Sequence, residues 1–104
     1  MAFRVELSAG AESDLDQILE WLIDQQAGET GLRWFLKLRE TISSLRELSH
    51  RCSLAPESAD FPFEVRQLFY GQKPRQYRVL FTVEEDVVIV LHIRHGRRLP
   101  LAKD

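Results

Sequence analysis

Arg66, Arg78, His92, Arg94, His95, Arg97 and Arg98 gather in the last third of the chain and are the side chains best suited to chemistry. Guanidinium groups offer paired N–H donors that match phosphate oxygens, and imidazole is the side chain whose charge ordinarily changes between about pH 5 and 8. Together they can compensate phosphoryl charge and move a proton. Which of them meet depends on one turn. If Glu84-Glu85-Asp86 is a three-residue loop, Val83 pairs with Val87 and Arg78 faces His92, with Gln76 opposite Arg94. Leu80, Thr82, Val88 and Val90 would complete that face, a partly apolar floor with Arg78 and His92 toward one end. A two-residue turn at Glu85-Asp86 shifts every pair by one and breaks the meeting.

Alternation along Phe63–Tyr70 sets Arg66 on the opposite face from Phe63, Val65 and Phe69, from which it could join Arg78 and His92. A structural reading of the same residues stays open beside the chemical one. In it Arg78 is ion-paired with Glu64 or a helix carboxylate, and His92 is a hydrogen-bonded sheet residue. The run from Arg94 through Arg97 and Arg98 to Lys103 serves equally as a solvated end, as a contact for nucleic acid, or as a contact for an acidic partner peptide.

Other site types lack their residues. His50, His92 and His95 have no carboxylate spacing typical of a metal site. There is no glycine-rich phosphate loop, nucleophile elbow or paired-cysteine motif, so neither metal nor cofactor is expected. Cys52 is the single cysteine and cannot form an internal disulfide. No apolar run approaches the ~20 residues that cross a bilayer, and the start of the chain lacks a signal-like pattern, so a cytoplasmic protein with no membrane partner is expected.

The elements that must position these side chains are legible from periodicity. The 104 residues form a single domain, 1–104, large enough to bury a core without staples. Phe3, Val5 and Leu7 alternate with Arg4, Glu6 and Ser8 as in a half-buried strand. Ser8 then caps a helix in which Ala11, Leu15, Ile18 and Leu22 recur at helical spacing, with Leu19 and Trp21 widening the stripe. After "AGETG", Thr30 is expected to cap a second helix over about Gly31–Ser49, with Phe35, Leu38, Ile42 and Leu45 as its buried seam. The segment "HRCSLAPESADFP" reads as the longest connection. Three strands follow, meandering antiparallel, and Val87–His95 is apolar enough on both faces to be central. The fold class is therefore α+β, in the order β-α-α-β-β-β, with a helix hairpin on one side of a small sheet.

Charge is split along this order. Residues 1–60 carry six Lys/Arg against eleven Asp/Glu, and residues 61–104 carry eight against five, within a net charge of -2. A chain that held nucleic acid mainly through phosphates would carry a large positive excess. Only the C-terminal third offers an anion-binding face.

In "AESDLDQILEWL", "VRQLFYG" and above all "YRVLFTVEEDVVIVLHIRHGRR" the chain resembles the RelE/ParE superfamily of bacterial type II toxins, over nearly its whole length, with ParE-like plasmid stabilisation proteins the nearer branch. The resemblance implies a toxin that inhibits growth until a co-expressed antitoxin binds it, in a toxin–antitoxin hetero-oligomer. RelE-like members are ribosome-dependent endoribonucleases that cleave messenger RNA. For that activity the resemblance assigns Arg78, with Arg98 or Arg97 after the last strand, as the phosphate-handling cations, and leaves His92 or His95 as the acid or base. Arg66 falls where a basic residue often lies. Glu64 stands where some nucleases carry a second cation, and no tyrosine follows Arg98. ParE-like members instead poison DNA gyrase and have a long helical hairpin like residues 11–49. The gyrase poison is the favoured expectation; the alternatives are the mRNA endoribonuclease and a degenerate toxin that only binds an antitoxin-like partner. Under the nuclease alternative, Arg78 would be an exposed cation whose removal leaves folding nearly intact.

Overall fold

The computed structural model describes residues 3–73 and 75–95. Strand β1 (Arg4–Leu7) exposes Arg4 and Glu6 and turns Val5 and Leu7 inward, as their alternation requires. Helix α1 (Ala9–Asp24) begins at Ser8, whose hydroxyl accepts from the Ala11 amide at 3.0 Å while donating to the Leu91 carbonyl at 2.8 Å. One serine thus caps the helix and fastens it to the sheet. Ala11, Leu15 and Ile18 are buried along its inner face.

Helix α1 ends in a Schellman motif: the Gln26 amide donates to the Ile23 carbonyl and the Ala27 amide to that of Leu22. Gln26 supplies the left-handed residue at φ 54°. Helix α2 (Gly28–Ser43) starts earlier than the sequence predicts. Thr30 lies inside it rather than at its cap, and the position before it, Ala27, has no side-chain cap. The predicted single helix to Ser49 is also broken, because the chain bends at Ser44 into the short α3 (Leu45–Leu48). The Ser44 hydroxyl donates back to the Thr41 carbonyl at the bend, a bonding mode that commonly bends helices. The buried seam is as predicted, with Phe35, Leu38, Ile42 and Leu45 all in the core.

The sheet is mixed and five-stranded, in the order β1-β5-β4-β3-β2, where β2 is Ser53–Leu54, β3 Arg66–Tyr70, β4 Tyr77–Glu84 and β5 Val87–His95. β1 runs parallel to β5, and the other pairs are antiparallel. The central place predicted for β5 holds, between β1 and β4. The helices cover one face with Val79, Phe81, Val88, Val90 and Ile93. The connection 49–65 covers part of the other face. It folds as two 3-10 turns around β2 and buries Ala55 and Val65 against Leu80. This second, smaller core explains why the central strands are apolar on both faces. Among the described residues no helix is long and apolar enough to cross a membrane.

Candidate functional site: a locked arginine on the outer face

The turn between β4 and β5 has two residues, Glu85 and Asp86, closed by the pair Glu84–Val87, and Glu85 takes φ 56°. The pairs from Glu84–Val87 to Phe81–Val90 are therefore shifted by one from the expectation for a three-residue loop. That shift alone would bring Ile93 opposite Arg78. A bulge then leaves Leu91 without a partner, and beyond it Leu80 pairs with His92, Val79 with Ile93 and Arg78 with Arg94. Two one-residue slips restore the parity of the face. Arg78, His92 and Arg94 do share the face away from the helices, but His92 stands across from Leu80, and Arg94 across from Arg78.

Arg78 is buried. Its Nη1 and Nη2 donate to Oε1 and Oε2 of Glu57 at 2.9 and 2.6 Å, and Nη1 also donates to the Gln67 amide oxygen at 3.1 Å. The side chains are 9% and 0% exposed, respectively, for Arg78 and Glu57. Glu57 comes from the 3-10 turn Pro56–Asp60 in the connection, so neither Glu64 nor a carboxylate of α1 or α2 provides the ion pair. The expectation of an exposed Arg78 is thereby corrected. The connection must cover this face to bury Ala55 and Val65, and its passage carries a carboxylate over Arg78.

Arg66 lies on the opposite face, because it pairs with Phe81, which faces the helices. Its Nη1 donates to the Cys52 carbonyl at 2.6 Å and its Nη2 to Glu64 at 3.3 Å. Val65, just before β3, thus packs on the outer face and Arg66, the first residue of β3, faces inward, so Arg66 does not join Arg78. Near it, burial pushes the Cys52 thiol above its ordinary pKa, against a smaller lowering by the Arg66 charge. The thiol donates to the Leu48 carbonyl.

His92 lies at the edge where α1 takes over from β1 beside β5. Asp14 Oδ2 accepts from the Ile93 amide at 2.9 Å and lies 3.0 Å from His92 Nδ1. The carboxylate meets a strand donor that β1, ending at Leu7, does not reach. Gly10 makes room for this packing: a Cβ there would come within 2.8 Å of His92 Cε1. His92 thus fits the structural reading, held to Asp14. His95 faces the helix side, its ring 5.3 Å from that of Tyr77. Arg97 and Arg98 lie outside the described residues.

The sequence reasoning missed a second feature, a groove of about 510 Å³ between the helix hairpin and the start of β4, lined by Trp21, Leu22, Gly31, Trp34, Arg75 and Tyr77, among others. Trp34 makes T-shaped ring contacts with Tyr70 and Tyr77, with centroids 5.1 and 5.5 Å apart. Arg75 sits 6.0 Å over the Trp21 ring. Neither Trp34 nor Glu57 had a sequence signal beyond its residue type.

This fold and this arrangement of strands are those of a known toxin class. The family model "ParE toxin of type II toxin-antitoxin system, parDE" matches residues 5–100, and the chain belongs to that family. Among solved structures, it is similar to one described as the chromosomal ParDE toxin–antitoxin system from P. aeruginosa, with 19% identity, 90% of this chain and 96% of that one covered, and a TM-score of 0.70. It is also similar to E. coli toxin RelE, in a mutant with two arginines replaced by alanine and in the free state, with 15% identity, 93% and 86% covered, and a TM-score of 0.60. At these identities the two structures speak for the fold. No curated protein sequence matches this chain significantly. The chain is the toxin of a type II toxin–antitoxin module, in the RelE/ParE superfamily.

Proposed function

We propose that this toxin arrests growth in the cytoplasm by ParE-like poisoning of DNA gyrase rather than by cutting messenger RNA, and that a cognate antitoxin neutralises it in a hetero-oligomer. One observation carries the choice of target: Arg78, the arginine that an RNA phosphate would need on this strand, is already held through both Nη atoms by Glu57. Drawing Arg78 toward a phosphate would strip a fully buried carboxylate of its arginine, a cost of several kcal/mol. Arg66 is engaged on the other face of the sheet. The net charge of -2 also disfavours a ribosome-directed nuclease, which gains association rate and affinity from a strong positive field.

The hairpin of α1 and α2 agrees with the ParE-like side of the superfamily, as does the family model matched. The P. aeruginosa relative is described as part of a ParDE system, which supports an antitoxin partner here.

Incubating the purified protein with gyrase, supercoiled DNA and ATP, then denaturing with detergent and protease, should release linear DNA and inhibit supercoiling. In a translating bacterial extract, the 5′ ends of a reporter message should stay unchanged. Codon-positioned cuts from the wild-type protein would overturn the gyrase reading in favour of the nuclease. A protein inactive in both assays and harmless on expression would instead be a binder of an antitoxin-like partner only.

A further inference from the structure

Helix α2 carries two stripes. Gly31, Phe35, Leu38 and Ile42 form the buried seam, and each is followed by a residue on an exposed flank about 100° further round the helix: Leu32, Leu36, Arg39 and Ser43. Glu29 begins that flank. Glu29, Leu32, Leu36, Arg39 and Ser43 therefore recur at alternating spacings of three and four, the a and d positions of a heptad. Leu32 and Leu36 are 51% and 55% exposed, the large apolar side chains among the exposed positions of α2. The Glu29 and Arg39 side chains that bracket them have no hydrogen-bond or ion-pair partner among the described residues.

We propose that this flank is a self-association surface, on which a second copy of the chain lays its own α2 antiparallel across a two-fold axis. The midpoint between Leu32 and Leu36 is also the midpoint between Glu29 and Arg39. One axis at the level of Trp34 therefore sets Leu32 against Leu36 of the partner subunit and Glu29 against Arg39 of the partner subunit, and repeats both pairs in the opposite sense. The leucines would accept any apolar helix. Opposite charges placed at equal distances from the centre of the leucine pair are what match this surface to a copy of itself. A parallel pairing in register would instead set glutamate against glutamate and arginine against arginine, which like-charge repulsion disfavours. One 16-residue helix from each chain makes an interface at the small end of the specific range, so the dimer is weak and reversible.

Sedimentation velocity on the purified full-length chain, free of antitoxin, between about 1 μM and 1 mM reads the association. The mass should rise from 12.1 kDa toward twice that value. Leu36→Glu should stay monomeric throughout and keep its far-ultraviolet circular dichroism spectrum, because the side chain it replaces is exposed. The charges test the register. Glu29→Lys and Arg39→Glu each place like charges at both ends of the interface and should raise the dissociation constant roughly tenfold. The double variant Glu29→Lys/Arg39→Glu restores opposite signs and should return the constant close to its wild-type value. A wild-type chain that is monomeric across the whole range would overturn the proposal. So would a dimer that survives Leu36→Glu, since it would form through another face, and so would a double variant no tighter than either single one, since the antiparallel register would then be wrong.

Discussion

Arg78 on β4 and Glu57 in the connection meet as a two-bonded fork, 2.9 and 2.6 Å on its two arms, buried between the sheet and the 3-10 turn that covers it. This pair decides what the arginine is for. A bidentate guanidinium–carboxylate contact in a buried site holds the connection on the sheet and takes this arginine of the outer face out of reach of solvent anions.

Breaking the pair from one side is expected to be costly. Arg78→Met leaves the Glu57 carboxylate buried without its arginine, and loss of one partner in such a pair costs about 3–5 kcal/mol. Replacing both, Arg78→Met with Glu57→Leu, should recover most of that loss, because apolar side chains of similar volume often substitute for a buried pair with little penalty. Urea unfolding of the wild type, the two single variants and the double variant measures the cycle. A single Arg78→Met variant with wild-type midpoint would show that the pair contributes nothing.

The same pair shows where the sequence was readable. The order of elements, the buried seam of α2 and the central place of β5 all follow from periodicity, which is a local property. The register of β4 on β5 is not local in that way. It depends on a two-residue turn entered through a left-handed glutamate and on a bulge at Leu91, and neither Glu85 nor Leu91 is a residue type that announces such geometry. Glu57 was equally hidden. It lies in an aperiodic stretch whose path is fixed by burying Ala55 and Val65 against Leu80, a tertiary constraint that no spacing within the stretch records. The alternation in Phe63–Tyr70 separates Arg66 from Val65 and Phe69 but does not say which face meets the helices; Leu68 and Tyr70 pack under them, and Arg66 goes with that face.

Asp14 is expected to matter through the strand rather than through catalysis. Its carboxylate accepts from the buried Ile93 amide as well as lying against His92, so Asp14→Ala should cost about 1–3 kcal/mol for the unmet donor. Asp14→Asn retains a side-chain acceptor and should lose less. Amide hydrogen exchange at Ile93 reads this directly, and protection undiminished in Asp14→Ala would refute the assignment.

Gln26 is a place where the fold can be improved. It occupies the left-handed position of the α1 Schellman motif at φ 54°, where a side chain costs about 1–2 kcal/mol and glycine avoids that penalty. Gln26→Gly is therefore expected to stabilise the protein by about 1 kcal/mol, less whatever glycine adds to unfolded-chain entropy, and to raise Tm by roughly 4 °C. Gln26→Val, β-branched at the same φ, should lower it. Calorimetry on both variants tests the sign in each direction.

Cys52 should be an unreactive thiol despite its partial exposure. Burial raises its pKa, and the thiol donates to the Leu48 carbonyl, a contact that holds the proton. Only the thiolate attacks an alkylating reagent, so at neutral pH the folded protein should react with iodoacetamide more slowly than the urea-unfolded chain. Because the folded pKa is the higher of the two, the reactivity of the native protein should rise at higher pH than that of the unfolded one, and thiolate formation should cost stability as pH climbs through that interval. The Arg66 charge opposes burial at this site, so Arg66→Gln should move the native midpoint further up. A native midpoint at or below that of the unfolded chain would mean that the positive charge, not burial, governs the thiol.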